Sequence, residues 1–247
     1  YFELYNNSDT TVYADGMIWG RGWHLHRDYT PFPCAATDAI RNDSLGVWAI
    51  FFHRFPGSGR DFPVAPGETV VVAMDAVDHS VVHPAFPDLR SADFELLGPG
   101  DVDNPDVPNA VEIGLRPWFR SHGLDMTWGD ELFLALPSDI ESLHRAHEPI
   151  TGEDWVRVPT ESVLDVVTLA PHNIAAVDQL ATPCAVSVNR RFDRLEGGFI
   201  STWNDTTIAL HRRILRTETG GRDILQDLNI SFLDLVIGKR SPGRIEY

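Results

Sequence analysis

LHRRILRTETGGRDILQDLNISF, Leu210 to Phe232, carries an alternating segment that closes on His211-Arg212-Arg213-Ile214. A polar turn at Gly220-Gly221 follows, then a short close bearing aspartate and asparagine. Alternation at period two is the signature of a half-buried strand, and glycine pairs mark the turns between strands. The opposite end of the chain has the same texture. In YFELYNNSDTTVYADG, Tyr1 to Gly16, alternation breaks on Asn6-Asn7-Ser8-Asp9 and resumes at Thr11-Val12-Tyr13. Both ends read as pieces of a β-sandwich, with strands and long polar insertions between them.

Working outward, Phe2, Leu4, Val12, Ile18 and Trp19 supply the apolar positions of the first strands. Val47 to Phe52 is a continuous apolar run of strand length, stopped by Pro56-Gly57-Ser58-Gly59. Thr69 to Met74, β-branched and preceded by Ala65-Pro66-Gly67, is the clearest strand in the chain. Leu132 to Leu136 and Thr160 to Val167 are further strands, and His172 to Leu180 has room for one or two helical turns between Pro171 and Pro183. The expected fold is all-β, one elaborated domain over 1–247, with few short helices and irregular excursions at about 20–45 and 75–128.

Composition narrows the function classes. Acidic residues outnumber basic ones 36 to 20, a formal charge of −16, which argues against nucleic acid because phosphate binding needs concentrated positive charge. No stretch has the length of apolar sequence that a membrane span needs. The chain starts at Tyr1, directly in a strand-like run, as after removal of a leader or inside a longer polypeptide. Cys34 and Cys184 leave two readings open: a disulfide closing a long loop in an exported protein, or two unrelated buried thiols.

Particular motifs resemble a known family. Phe2, Glu3, Asn6, Ser8, Asp9, Val12, Asp15, Gly16 and Trp19 follow the opening pattern of lamin-tail domains, and APGETVVVA (Ala65 to Ala73) and GDELFLA (Gly129 to Ala135) are similar to two of their strands. Ala73 to His79, DVDNPDVPN (Asp101 to Asn109), Arg212-Arg213-Ile214 and ILQDLN (Ile224 to Asn229) resemble more closely an uncharacterised bacterial secreted family related to lamin tails. The resemblance implies an immunoglobulin-like β-sandwich, exported, used for attachment or assembly and without a catalytic centre. The chain departs from the family pattern in lacking a hydrophobic strand before F-x-E, so the first sheet is expected to lack an edge strand.

Three constellations carry candidate chemistry. Asp101, Asp103, Asn104 and Asp106, with Asp75 and Asp78 upstream, are hard oxygen ligands that suit calcium, but Pro105 interrupts the EF-hand order, and a solvated acidic loop is the alternative. His24 with His26, and His79 with His83, fall short of a zinc set, since Ser80 stands where a protease helix has glutamate. No G-x-S-x-G elbow occurs, and Glu95 or Asp130-Glu131 provides carboxylates without a glycosidase spacing. Trp19, Trp23, Trp118, Trp128 and Trp155 lie in or beside turn-rich segments and form a candidate interface, because aromatic side chains concentrate at binding hot spots. The expected function is a non-catalytic, exported accessory or scaffold subunit contacting other proteins, periplasmic or extracellular, on a bacterial respiratory or photosynthetic membrane complex. The alternatives are a cell-surface carbohydrate- or matrix-binding module using calcium and, more distantly, a hydrolase.

Overall fold

A nine-residue strand, β4 (Gly46–Arg54), organises the largest sheet of the computed structural model, which describes residues 1–22, 43, 45–97, 102–114, 131–148, 153–168 and 208–245. One edge of β4 pairs with β3 (Ile18–Gly22), which in turn pairs with β9 (Glu131–Ala135) and, beyond it, β12 (Val163–Thr168). Two strands share the other edge of β4 end to end. They are β11 (Glu153–Pro159), opposite Gly46 to Ala49, and β8 (Val111–Gly114), opposite Phe51 to Arg54. The edge strand β10 (His144–Glu148) pairs with β11. Every pairing in this sheet is antiparallel.

β4 contains a bulge. β3 sets Gly20 opposite Phe52 but Gly22 opposite Ala49, which leaves β4 one extra residue. The shift puts Val47, Ala49 and Phe52 in one core cluster, with Ile18, Phe133, Ala135, Val156, Val158 and Val166 from the neighbouring strands. The sheet rolls around this cluster. Laid flat, four inter-strand steps would separate β11 from β12 by ~19 Å. The link from Pro159 to Val163 reaches ~14 Å at most, and it is coiled into a 3-10 turn at Thr160–Ser162. That turn ties the β11 side of the sheet to the β12 side, the Thr160 N–H donating to Leu45 O at 2.9 Å and the Leu136 N–H to Ser162 O at 2.8 Å.

A second layer covers the opposite face. β1 (Phe2–Tyr5) runs antiparallel to β6 (Thr69–Ala73), and β6 runs parallel to β7 (Phe94–Glu95). Phe2 stacks on Trp19 with ring centroids 4.3 Å apart, and Phe94 meets Phe55 edge-on at 4.9 Å. Val70, Val72 and Leu96 complete the core between the sheets. The small ladder of β2 (Val12–Tyr13) with β5 (Pro63–Val64) closes one end of this layer. Beside it, Asp15 accepts main-chain N–H bonds from Gly59, Asp61 and Phe62 at 2.8–2.9 Å. Burial works to raise Asp15, but these donors outweigh it and hold the carboxyl below its ordinary value. Only glycine fits at position 57, where φ is +113° and a Cβ would stand 2.2 Å from Asp15 Oδ1.

The C-terminal stretch forms two antiparallel ladders, β13 (Ile208–Arg212) with β16 (Leu235–Lys239), and β14 (Ile214–Thr217) with β15 (Asp223–Leu225). The β14–β15 hairpin docks on the N-terminal turn. The Asn7 carboxamide donates to Leu225 O at 2.9 Å and accepts from the Leu225 N–H at 2.8 Å, acting as a strand would. The Tyr5 hydroxyl donates to Asp223 O, and Arg222 reaches Ser8 O at 2.8 Å and the Asp9 carboxylate. The first and last described segments are therefore bonded to each other.

The expected all-β class is what the chain adopts, and the strands read at Val47–Phe52, Thr69–Met74 and Leu132–Leu136 appear as β4, β6 and β9. Several details differ. Thr160 to Ser162 is the 3-10 stitch and not strand. β10 and β11 escaped the sequence reading because charged residues interrupt both, which in β10 befits a strand at an edge. β8 lies inside the stretch read as an excursion at 75–128, yet it completes the large sheet. His172 to Leu180 lies outside the described residues.

Near the C-terminus, the Gly243 N–H donates to Glu3 Oε1 at 3.0 Å. Burial pushes the Glu3 carboxyl up to about 6 from 4.5, against the lowering effect of that bond. Folded protein thus holds a proton here that unfolded protein has released, so stability falls as pH rises from 4.5 through 6 and is flat above. Glu3→Gln, which keeps the acceptor, is expected to remove this slope. It should add about 1 kcal/mol at pH 7, a full shift of this size being discounted for the partial exposure of the group. Urea midpoints across the pH range check it; parallel slopes for the two proteins would refute it.

Candidate functional site

The acidic residues singled out in the sequence converge on one loop system, and Glu95 is at its centre. Glu95 is fully buried beside Leu96 and Phe94. Its Oε1 accepts the Ala76 N–H at 2.8 Å and its Oε2 the Asn104 N–H at 3.1 Å, so one carboxylate fastens two loops to β7. Asn104 returns the connection, donating through Nδ2 to Ala76 O at 2.9 Å and to Arg90 O at 3.3 Å, while its Oδ1 accepts the Asp106 N–H at 3.2 Å. Asp103 Oδ1 takes a bond from Asn109 Nδ2 at 2.8 Å.

This arrangement is a latch. The polar atoms of Asn104 are all engaged within the chain, while Asp103 and Asp106 sit exposed on its rim. Asp101 lies outside the described residues. Asp78 caps the short helical turn His79–Val81, and Asp88 pairs with Arg90. Asp75 Oδ1 and Asn109 Oδ1 are buried with no hydrogen-bond partner. Among the described residues, no three His, Cys, Asp or Glu side chains converge as a metal site. His79 Nε2 faces Asp75 O at 3.0 Å, whereas His83 packs beside Phe86. The pair does not converge on a common point as an HxxxH site requires.

Glu95→Ala is expected to cost about 3 kcal/mol, since it orphans one buried and one partly buried N–H donor and leaves a cavity. Amide exchange at Ala76 and Asn104 should accelerate with it. Unchanged exchange at both positions would show that the carboxylate is not the latch.

The second polar cluster gathers around Arg212. Its Nη2 contacts both oxygens of Asp165 on β12, at 2.7 and 2.6 Å, and its Nη1 donates to Gln226 O at 3.3 Å. Asp227 and Asp234 stand 3.5 and 3.9 Å from Nη1. Burial pushes Asp165 above the ordinary carboxylate value, with Arg212 pulling the other way. Burial would also lower Arg212, but the surrounding carboxylates raise it. Asp234, itself buried, accepts the Leu228 and Ile230 N–H groups at 2.9 and 3.1 Å, and Asn229 between them takes a left-handed φ of 55°. The ILQDLN motif is thus a device for joining the C-terminal ladders to the rolled sheet, which neither spacing nor composition announced.

The expected aromatic interface needs correction where it can be inspected. Trp19 and Trp155 are 3% and 2% exposed. Trp19 lies between the two sheets under Phe2, and Trp155 packs with Trp48 and Ala146. A ring that is spent on the core has no face to offer a partner. Trp23, Trp118, Trp128, Cys34 and Cys184 lie outside the described residues. Of the carboxylates weighed for glycosidase chemistry, Glu95 is the latch, and Asp130 falls outside.

The sequence model described as "Protein of unknown function (DUF4876)" matches residues 65–241, most of the chain and both polar clusters. The chain belongs to the DUF4876 family. A crystal structure of a DUF4876 family protein from Bacteroides thetaiotaomicron superposes on this DUF4876 chain with a TM-score of 0.71 at 18% identity, covering 98% of this chain and 65% of that one. At that identity the likeness speaks for the fold. No curated protein matches this DUF4876 chain. Among its described residues, no helix is long and apolar enough to cross a membrane.

Proposed function

We propose that this DUF4876 chain is a non-catalytic, exported accessory or scaffold subunit built on a lamin-tail-like sandwich, making protein–protein contacts on the periplasmic face of a bacterial membrane complex, respiratory or photosynthetic. The observation that carries the reading is a held-out apolar tip. Val81 and Val82 are 80% and 77% exposed at the end of the loop that Glu95 and Asn104 latch. The loop is braced for display. The Ser80 N–H caps onto Asp78, the Val82 and His83 N–H groups bond to His79 O, and the Leu89 N–H closes its base on Val77 O. Arg240 lies over Phe86, 5.3 Å from the ring centroid. Burying two valines against a partner is worth about 3 kcal/mol or more, the type of contact that a docking surface uses. The polar clusters, by contrast, are engaged in joining the chain to itself.

Purification from the native source in mild detergent, followed by mass spectrometry of what remains attached, tests the proposal. Stoichiometric co-purification with membrane subunits is the expected result. A chain that emerges alone and monomeric, yet is retained on a glycan column, would overturn it in favour of a carbohydrate-binding module.

A further inference from the structure

Resting on that accessory role, we propose that the outer edge of β1 is a docking site for an extended strand of a partner protein, one that alternates apolar and basic residues. The register of β1 on β6 sets Phe2, Leu4 and Asn6 opposite Val72, Val70 and Glu68, and the Asn6 N–H donates to Glu68 O at 3.0 Å. In an antiparallel pair the bonded residues alternate. The even-numbered residues therefore bond inward, and Glu3 and Tyr5 turn their main-chain N–H and C=O groups outward. Val71, opposite Glu3, confirms the alternation by bonding away from β1, to Asp93 on the far side. Among the described residues nothing pairs with the outward main-chain groups of Glu3 and Tyr5.

The layer beneath specifies what the added strand would meet. Phe94 of β7 lies over Phe55 just past β4, and Phe2 of β1 lies over Trp19 of β3. The small sheet, from β7 through β6 to β1, thus runs across the large one in the direction from β4 to β3. One more strand beyond β1 would extend the small sheet toward β9, where Leu132 and Leu134 share the face of Trp19 and remain only half-buried. Alternate apolar residues of the added strand would cover these two leucines. Its other residues would face the side where Glu3 lies, with Asp223 and Glu218 beside Tyr5 and Arg222 already paired to Asp9 and Glu218. Arg240 stands near Tyr1 at one end of that side, while Glu3, Asp223 and Glu218 toward Tyr5 favour lysine or arginine. The charge also selects against self-pairing, which would bring together two chains that each carry −16. Addition of a strand to an open sheet edge draws affinity from main-chain bonds and specificity from alternate side chains.

The test uses a short fluorescent peptide alternating lysine and valine, read by anisotropy against the intact chain. A second peptide carries N-methyl groups on the amides that would face β1. The expected result is saturable binding of the first, weakened about tenfold or more by methylation, with slowed amide exchange at Glu3 and Tyr5. Glu3→Ala and Glu3→Pro both lose the side chain, but only proline loses the outward N–H, which makes no ladder bond to β6. Proline should therefore abolish the binding that alanine retains. No binding, or binding indifferent to methylation, overturns the proposal even if Glu3→Pro fails to fold. A native partner held equally by the alanine and proline variants overturns the edge assignment and leaves the accessory role standing. Dimerisation lost only in Glu3→Pro overturns it in favour of a second copy.

Discussion

A chain lacking residues 1–19 is expected to show no cooperative thermal transition at all, losing the full ~5–15 kcal/mol that holds a domain of ordinary stability together. The deleted segment reaches every layer. β1 supplies the outer ladder on β6, and Phe2 and Trp19 stack at the centre of the core between the sheets. Ile18 and Trp19 begin β3, which bridges β4 and β9, so their removal cuts into the middle of the large sheet. The C-terminal hairpin would also lose Asn7 and Tyr5 as its anchors. Differential scanning calorimetry and near-ultraviolet circular dichroism decide the matter. A truncated chain that still melts cooperatively at the same temperature would show that the two ends belong to separate units.

Arg212→Ala is expected to cost about 3 kcal/mol, as much as Glu95→Ala. Removing one member of a buried ion pair leaves its partner charged without compensation, and the upper range of such losses is reduced here because Asp165 is only half-buried. The variant would leave Asp165 facing Asp227 with no cation between them. Asp165 should then titrate higher still, and because a carboxyl raised on folding gains stability as the pH is lowered, the variant should recover more on acidification than the wild type, whose Asp165 is raised less. Urea titrations at two pH values check both the size and the sign. A loss of the same size at acid and neutral pH would mean that packing of the guanidinium stem, and not its charge, joins β13 to β12.

What could be read from the residues follows from where each signal resides. Val47 to Phe52 and Thr69 to Met74 are β-branched and apolar because both faces of those strands are covered, and such runs announce themselves in one dimension. Their breakers are just as local: Pro56-Gly57-Ser58-Gly59 follows β4, and Ala65-Pro66-Gly67 leads straight into β6. The texture of Leu210 to Phe232 and of Tyr1 to Gly16 likewise marked strands and turns at the two ends.

Everything that depends on partners far along the chain came only from the tertiary structure. The roll of the large sheet is imposed by a three-residue turn whose two partners, Leu45 and Leu136, adjoin different strands, β4 and β9. Glu95 looked like one more carboxylate among 36 acidic residues, and only folding surrounds it with N–H groups from residues 76 and 104. Trp19 and Trp155 sit beside turns in sequence, which suited a surface role, yet folding lays a sheet over the first and Trp48 beside the second. Composition and period specify which segments become strands, because those preferences are local. Burial, charge pairing and the position of β1 at the end of its sheet among the described residues are decided by which strands become neighbours, and one dimension carries no record of that.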